Sequence, residues 1–507
     1  MSRPKPPRVF PALVSCAIAA LACAPALAEP PVLRVSLESE PLTLDWQAAR
    51  TPVDRFLVSF LMRGLLRYDE QAKPVCDLCR SYSVMPDGKT YRFELREDLA
   101  WSDGAPLEAE QFVLGFRRLV DPEQNLPDAE DYRVIAGARQ SGRFDPRKLE
   151  VVAESPARLR ITLTEPSAIF PHLLTRTAAF PIRKDHGKGV QVASPVLGAY
   201  QLAAWEKGKR IVVEGNPRYA LPRPVYRVDF HLGAHADQVK RFRSGKLDIL
   251  ANPSMDDLLQ IQGKNLQVSP YWATRMLVFN TSRPAASDAA VRRAVLYGVD
   301  RAKLPARLQS GERSATGVIP PGLPGHRQLP LATPDAQRAL KERARDPRSE
   351  ITLQLVAREG LQERKLVSWL EAEISPLKLR LQPRWLGPEA HLEALSRGDF
   401  DLALLTWSFT LATPLDLLRS FRTGAPRNLA RWTSVAYDAL LSQLIGQHAV
   451  PDYAQLTDEI TRLIEVQEAV VLPLGYPTQP FLLGRRVKAF AVTPFGDPDL
   501  VKIKLLQ

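Results

Sequence analysis

The sequence has no G-x-S-x-G elbow, no P-loop, no G-x-G-x-x-G turn and no H-E-x-x-H helix. Histidine is scarce and dispersed, seven in 507 residues. His231 and His235 stand four apart, but they close a strand pattern and no glutamate accompanies them, so no metal site is read there. Neither a catalytic constellation nor a cofactor site follows, and the chain is not read as an enzyme. Cysteine is almost absent, with four residues in all. Two of these, Cys16 and Cys23, lie in the N-terminal segment, and the remaining Cys76-Asp77-Leu78-Cys79 cannot build a four-cysteine zinc site. Beyond the N-terminus no apolar run is long enough to span a bilayer. Runs of like charge are missing as well. The net charge of +12 is interspersed with acids, which fits a solvated basic surface and argues against nucleic acid as a partner. No short-period repeat or low-complexity tract interrupts the chain.

What is present begins with an export pattern. Arg3, Lys5 and Arg8 precede an apolar run from Val9 to about Leu27, which closes on Ala26-Leu27-Ala28 before Glu29. Basic start, apolar middle and small-x-small exit are the parts of a cleaved signal peptide, residues 1–28. A lipid anchor at Cys16 or Cys23 is the alternative. Removing this segment takes away three basic residues and no acid, so the formal charge falls from +12 to +9. Roughly 480 residues remain, enough for two or three domains. In an oxidising periplasm Cys76 and Cys79 read as a local disulfide; a redox-active pair and two free thiols are the other readings.

Periodicity supplies the elements. Leu33, Val35 and Leu37 alternate as a strand. Asp54 to Leu66 reads as a helix with Phe56/Phe60 and Leu57/Leu61 four apart. Tyr91, Phe93 and Leu95 share one face of a strand, and Phe112, Phe116 and Leu119 one stripe of a helix after Pro106. Strands follow at 150–164, 200–202, 210–214 and 226–232, then a helix at 237–244 and a strand at 247–250. After a helix at 291–299, strands near 351, 379 and 401 alternate with helices at 362–374 and 388–397. A helix from Tyr453 to Val466 and a strand near Val501 to Leu505 close the chain. Alternating strand and helix predicts an α/β fold.

Several segments fall in a recognisable order. Glu40-Pro41-Leu42-Thr43-Leu44-Asp45 precedes Gly64-Leu65-Leu66-Arg67-Tyr68. Asp87-Gly88-Lys89-Thr90-Tyr91-Arg92-Phe93 leads to Trp101-Ser102-Asp103-Gly104-Ala105-Pro106. Ser244-Gly245-Lys246-Leu247-Asp248-Ile249, Phe279-Asn280-Thr281, Val291-Arg292-Arg293-Ala294 and Asn428 with Trp432 complete the series. From about residue 32 to its end the chain resembles the extracellular solute-binding proteins of the oligopeptide, dipeptide and nickel importer class. The resemblance implies a two-lobed periplasmic binding protein, type II-like, with an extra inserted β-rich domain. It places a discontinuous first lobe at 29–47, 187–275 and 475–507, the insert at 48–186, and the second lobe at 276–474. It further implies a monomer that captures a peptide or other small solute and delivers it to an ABC transporter permease in the inner membrane.

The pattern breaks where cargo is chosen. Peptide-binding members carry an Asp three residues after a Trp in the second lobe, to pair with the ligand's α-ammonium. Here Trp407 is followed by Ser408 and Phe409, and position 410 holds threonine. A hydroxyl brings no charge. Thr413 stands where a nearby acid is expected, while Asp416 is close enough to substitute. Arg50 falls where peptide binders can place an acid. The candidate ligand residues are therefore Trp407, Ser408, Thr410, Asp416, Arg50, Tyr132 and Tyr476. The cargo is either a peptide with its amine held elsewhere, or a solute with no free amine, such as a murein fragment, a saccharide or an anionic compound.

Overall fold

The computed structural model describes Met1 and residues 31–506, apart from 138, 141–142, 186–188, 220–225, 255–256, 258–260, 262–264, 329–332, 344–349 and 447–449. The export segment, with Cys16 and Cys23, lies outside the described residues. Among those described, no helix is long and apolar enough to cross a membrane.

The alternation of Leu33 and Val35 puts both side chains in the core and makes Val32–Ser36 an inner strand. It runs parallel to Arg227–His231 on one side and Ile249–Ala251 on the other. Tyr200–Glu206, Arg210–Gly215, Thr478–Leu483 and Leu266–Pro270 extend this seven-stranded sheet antiparallel to their neighbours. A second sheet has six strands, in the order Arg313–Ser314, Val471–Tyr476, Ala273–Phe279, Leu402–Ser408, Ile351–Arg358 and Leu379–Leu386. Ile351–Arg358 is parallel to both neighbours. Helices Leu361–Ile374 and Pro388–Arg397 make the crossovers such pairing requires.

A third sheet, four-stranded and antiparallel, joins Cys79–Val84, Thr90–Leu95, Arg158–Thr162 and Val151–Ser155. Tyr91, Phe93 and Leu95 are buried on one face, and Phe112, Phe116 and Leu119 of helix Ala109–Val120 fill the same core. The chain leaves that unit past Gly198, whose N–H bonds Leu61 O at 2.9 Å. A Cβ there would lie 2.1 Å from Phe60 O, so no other residue fits this close approach.

Two expectations change. The helix expected at 54–66 is Pro52–Leu61, started by a reciprocal Thr51–Asp54 capping box. Its apolar continuation is extended instead, because Leu66–Tyr68 pairs with Pro74–Cys76. Second, Leu266–Pro270, Ala273–Phe279, Val471–Tyr476 and Thr478–Leu483 are strands that local pattern did not announce. Ala273–Phe279 and Val471–Tyr476 are buried on both faces and show no alternation. Pro473 and Gly475 also read as strand breakers, yet a register shift at Arg275/Met276 accommodates them.

Cys76 and Cys79 form a disulfide. It staples the turn that holds Asp77 against Arg63, both nearly buried. Opening so short a loop is expected to cost about 2 kcal/mol or less. Urea unfolding of the Cys76→Ser/Cys79→Ser protein measures this, and a much larger loss would show that the turn organises the whole inserted sheet.

Glu465 lies in a π-helical turn, Leu463–Gln467, at the end of helix Val450–Arg462. It is fully buried, accepts the Val318 N–H at 2.6 Å and meets Arg327 at 3.2 Å. Burial pushes its carboxyl up to about 7, against the pull of Arg327. The folded chain therefore binds a proton that the unfolded chain releases at ordinary carboxylate pH. Its contribution to stability is full below that range and is lost as pH rises to about 7. Melting temperatures of Glu465→Gln between pH 5 and 8 are expected to show a flatter pH dependence than the native protein.

Candidate ligand cleft at a two-strand hinge

The two large sheets are joined by two neighbouring crossings. Leu266–Pro270 in the first sheet passes through Tyr271 and Trp272 into Ala273–Phe279 of the second. Val471–Tyr476 of the second passes through Pro477 into Thr478–Leu483 of the first. The strands pair on either side of the crossing, Pro270 with Thr478 and Arg275 with Gly475. A cavity of about 340 Å³ sits on the crossing, lined among others by Tyr271, Trp272, Tyr476, Thr478, Thr493 and Pro494.

Leu402–Ser408 runs beside the first crossing, Thr274 pairing with Trp407 and Ala273 with Ser408. Trp407 is half-buried, and its indole Nε1 is buried without a partner among the described residues. Ser408 is exposed. The chain then turns in, with Phe409 N–H bonded to Trp272 O at 2.8 Å. Asp416 accepts the N–H groups of Thr410 and Leu411 at 2.6 and 3.3 Å, and the Thr410 hydroxyl lies 3.3 Å from both its oxygens. Thr410 and Asp416 therefore satisfy one another. Burial raises the Asp416 carboxyl above its usual range, opposed by Arg176 and Arg419. Thr413 is buried and shares a 2.8 Å hydrogen bond with Tyr453.

The inserted unit meets this loop through charge. Asp131 accepts from Arg176 at 2.6 Å and from Arg419 at 2.9 Å, and Arg176 also reaches Asp128 at 3.2 Å. Burial acts to raise Asp131, but the two guanidinium groups outweigh it and hold the carboxylate below its ordinary range. The Tyr68 hydroxyl accepts the Ala412 N–H at 3.0 Å and lies 3.1 Å from His172 Nδ1. Burial pushes that imidazole down to about 4, so it is neutral at neutral pH. Phe495 packs against both Tyr68 and Trp272, bringing the C-terminal segment to the same junction.

The remaining candidates are placed differently. Arg50 is exposed and donates to Asn125 O at 3.0 Å. Tyr132 is fully enclosed and donates to Leu173 O at 2.7 Å, so it offers the cleft no polar atom. The Tyr476 hydroxyl accepts from Thr316 and Gly317 N–H at 3.1 Å and donates to Gly317 O at 3.0 Å, which fixes that turn beside the hinge. His235 pairs with Asp257 at 2.6 Å, and no cluster of three metal-ligating groups occurs among the described residues. Pattern reading did not find Tyr68, Asp131, Arg176, Trp272 or Arg419. Nothing in their local sequence signals that they converge.

Two α/β sheets joined by paired crossing strands, with a third unit reaching over the gap, define a bilobed solute-binding protein. The model of the bacterial extracellular solute-binding proteins, family 5 (Middle), matches residues 73–428. The chain belongs to that family. It is 28% identical to the probable deoxycholate-binding periplasmic protein YgiS of Escherichia coli, over 93% of this chain and 92% of the relative. To the periplasmic oligopeptide-binding protein OppA of Escherichia coli it is 27% identical, over 92% of each chain. The solved structure of the Escherichia coli murein tripeptide binding protein MppA superimposes with a TM-score of 0.78 at 21% identity, covering 95% of this chain and 99% of that one.

Removing Asp131 strands Arg176 and Arg419 without their shared anion. Asp131→Ala is expected to lower folding stability by about 3 kcal/mol, as breaking a buried ion pair does. Guanidinium unfolding measures it. Arg147→Ala, which removes an exposed pair with Asp145, is expected to leave the midpoint unchanged.

Proposed function

We propose that this protein is the periplasmic receptor of an ABC importer, taking a peptide or peptide-like solute between its two lobes and presenting it to the permease. The observation that carries this reading is the cavity on the double crossing, lined by residues from both sheets. A ligand that touches both lobes stabilises the closed form over the open one, and that difference is what a permease can read. The division expected from sequence supplies the frame: 29–47, 187–275 and 475–507 as one lobe, 276–474 as the other, 48–186 as the insert. Residues 1–28 act as a cleaved export signal, and the mature chain works as a monomer. Trp407 packs on the ligand and offers its unpartnered indole N–H, with Ser408 beside it. Tyr476 holds the hinge turn. Asp416 and Thr410 shape the loop through their mutual bonds, and Arg50 is an exposed ligand candidate.

The names of relatives bear on cargo. OppA is an oligopeptide-binding protein and MppA a murein tripeptide-binding one, which supports a peptide. A second reading, an anionic amphipathic solute, is favoured by the threonine at position 410 and by the deoxycholate-binding name of YgiS.

Native mass spectrometry of protein purified from periplasm, with bound molecules released and identified, tests the choice. Short peptides are expected; a single anionic compound would establish the second reading. Trp407→Ala is expected to weaken binding of the released ligand by about tenfold, some 1.4 kcal/mol. Unchanged affinity in titration calorimetry would remove Trp407 from the ligand's surroundings.

A further inference from the structure

Among the described residues, the carboxylates packed around the junction of lobes and insert are almost all spoken for. Asp416 is bonded to Thr410 and Leu411. Asp131 and Asp128 are paired with arginines, and Glu312 with Arg275 at 3.0 Å. Asp54 caps its helix by accepting from Leu42, Arg50 and Thr51. Asp497 is the exception. Its backbone is fixed in a tight hairpin: Thr493 N–H bonds Asp497 O at 2.8 Å, Gly496 N–H bonds Thr493 O at 3.0 Å, and Val492 bridges Pro498. Gly496 has a φ of +97°, and a Cβ there would stand 3.2 Å from the Tyr271 ring, so the hairpin is seated hard against the hinge. Thr493 and Pro494 of the same hairpin line the hinge cavity. Phe495 is wedged between Tyr68 and Trp272.

The Asp497 side chain is thus held at the junction of the first lobe, the insert and the hinge. Among the described residues its carboxylate oxygens receive no hydrogen bond and no cation within ion-pairing distance. Arg55 is close enough to act on it through space, but that guanidinium is bonded to Arg50 O at 2.8 Å and Ala49 O at 3.4 Å. Asp497 is half-buried, so its carboxylate stays open to a ligand, and the surrounding protein withdraws enough water to push it up to about 7. Such a group is stabilised by any cation that enters the cleft and reaches it.

We propose that Asp497 is the residue that binds the ligand's ammonium group, supplying from the first lobe the charge that position 410 of the second lobe does not. This rests on the reading that the cargo is a peptide or peptide-like solute. It makes a free amine a requirement of the cargo, and it moves the amine contact to the C-terminal hairpin. A ligand so held runs from Asp497 toward Trp407, touching both lobes.

The probe is an equimolar tripeptide library, half with free N-termini and half N-acetylated, presented to ligand-stripped full-length mature protein and read by native mass spectrometry. The native protein is expected to retain free-amine peptides at least tenfold over acetylated ones. Asp497→Asn is expected to bind both alike, and Asp497→Glu to keep the preference. Peptides bound without regard to acetylation by the native protein, or a preference that survives in Asp497→Asn, would overturn the assignment of Asp497 alone. Should the native protein take neither class, the peptide reading itself falls, and this assignment with it. If Asp497→Asn fails to give a native melting curve, the native preference and its retention in Asp497→Glu decide the matter.

Discussion

The molecule depends on two strands that change sheets side by side. Leu266–Pro270 into Ala273–Phe279 and Val471–Tyr476 into Thr478–Leu483 are antiparallel neighbours on both sides of the crossing. A single covalent link would leave the lobes free to swivel. Two hydrogen-bonded links confine them to an opening and closing motion about one line. The residues on that line, Tyr271, Trp272 and Pro477, therefore sit where a small backbone change is converted into a large change in the gap. The cavity they border belongs to both lobes for the same reason.

Around this axis, polar groups are used to hold surfaces in register. Asp131 brings together Arg176 of the insert and Arg419 of the loop that follows the 402–408 strand. Tyr68 meets the backbone of that same loop at Ala412. Buried charge of this kind contributes little net stability compared with apolar packing, but leaving one member unpaired is severe. The arrangement thus favours one specific approach of insert and lobe over many similar ones. Apolar packing joins in, with Phe495, Trp272, Phe409 and Leu411 in one continuous core.

Much of the periphery was legible in the sequence. Thr90–Leu95 alternates, and Pro388–Arg397 has proline at its start and Gly398 in a left-handed cap, so local rules and tertiary structure agree. The centre was not legible, for a physical reason. Strands buried on both faces lose the alternation that identifies them, and Val471–Tyr476 contains Pro473 and Gly475 besides. The site divides the same way. That position 410 lacks an acid can be read directly. The Asp131 network cannot, since its partners are 45 and 288 residues away. Asp497 belongs to the same class: an ordinary Gly-Asp-Pro turn in one dimension, and an unpaired acid at the junction of three units in three.

The central strand of the first sheet is also the first strand among the described residues. Val32–Ser36 lies between partners that begin at Arg227 and Ile249, and the sheet is finished only when Thr478–Leu483 pairs with Ile249–Ala251. A ribosome or a translocation pore releases residues in order, so the earliest strand waits for nearly the last. Until then this lobe cannot close, and its apolar strand is exposed and unfinished. The insert, whose four-stranded sheet falls entirely between 79 and 162, carries no such delay. The order of strands in space therefore sets an order in time: a chain threaded across a membrane stays unfolded in its first lobe until it is almost entirely through.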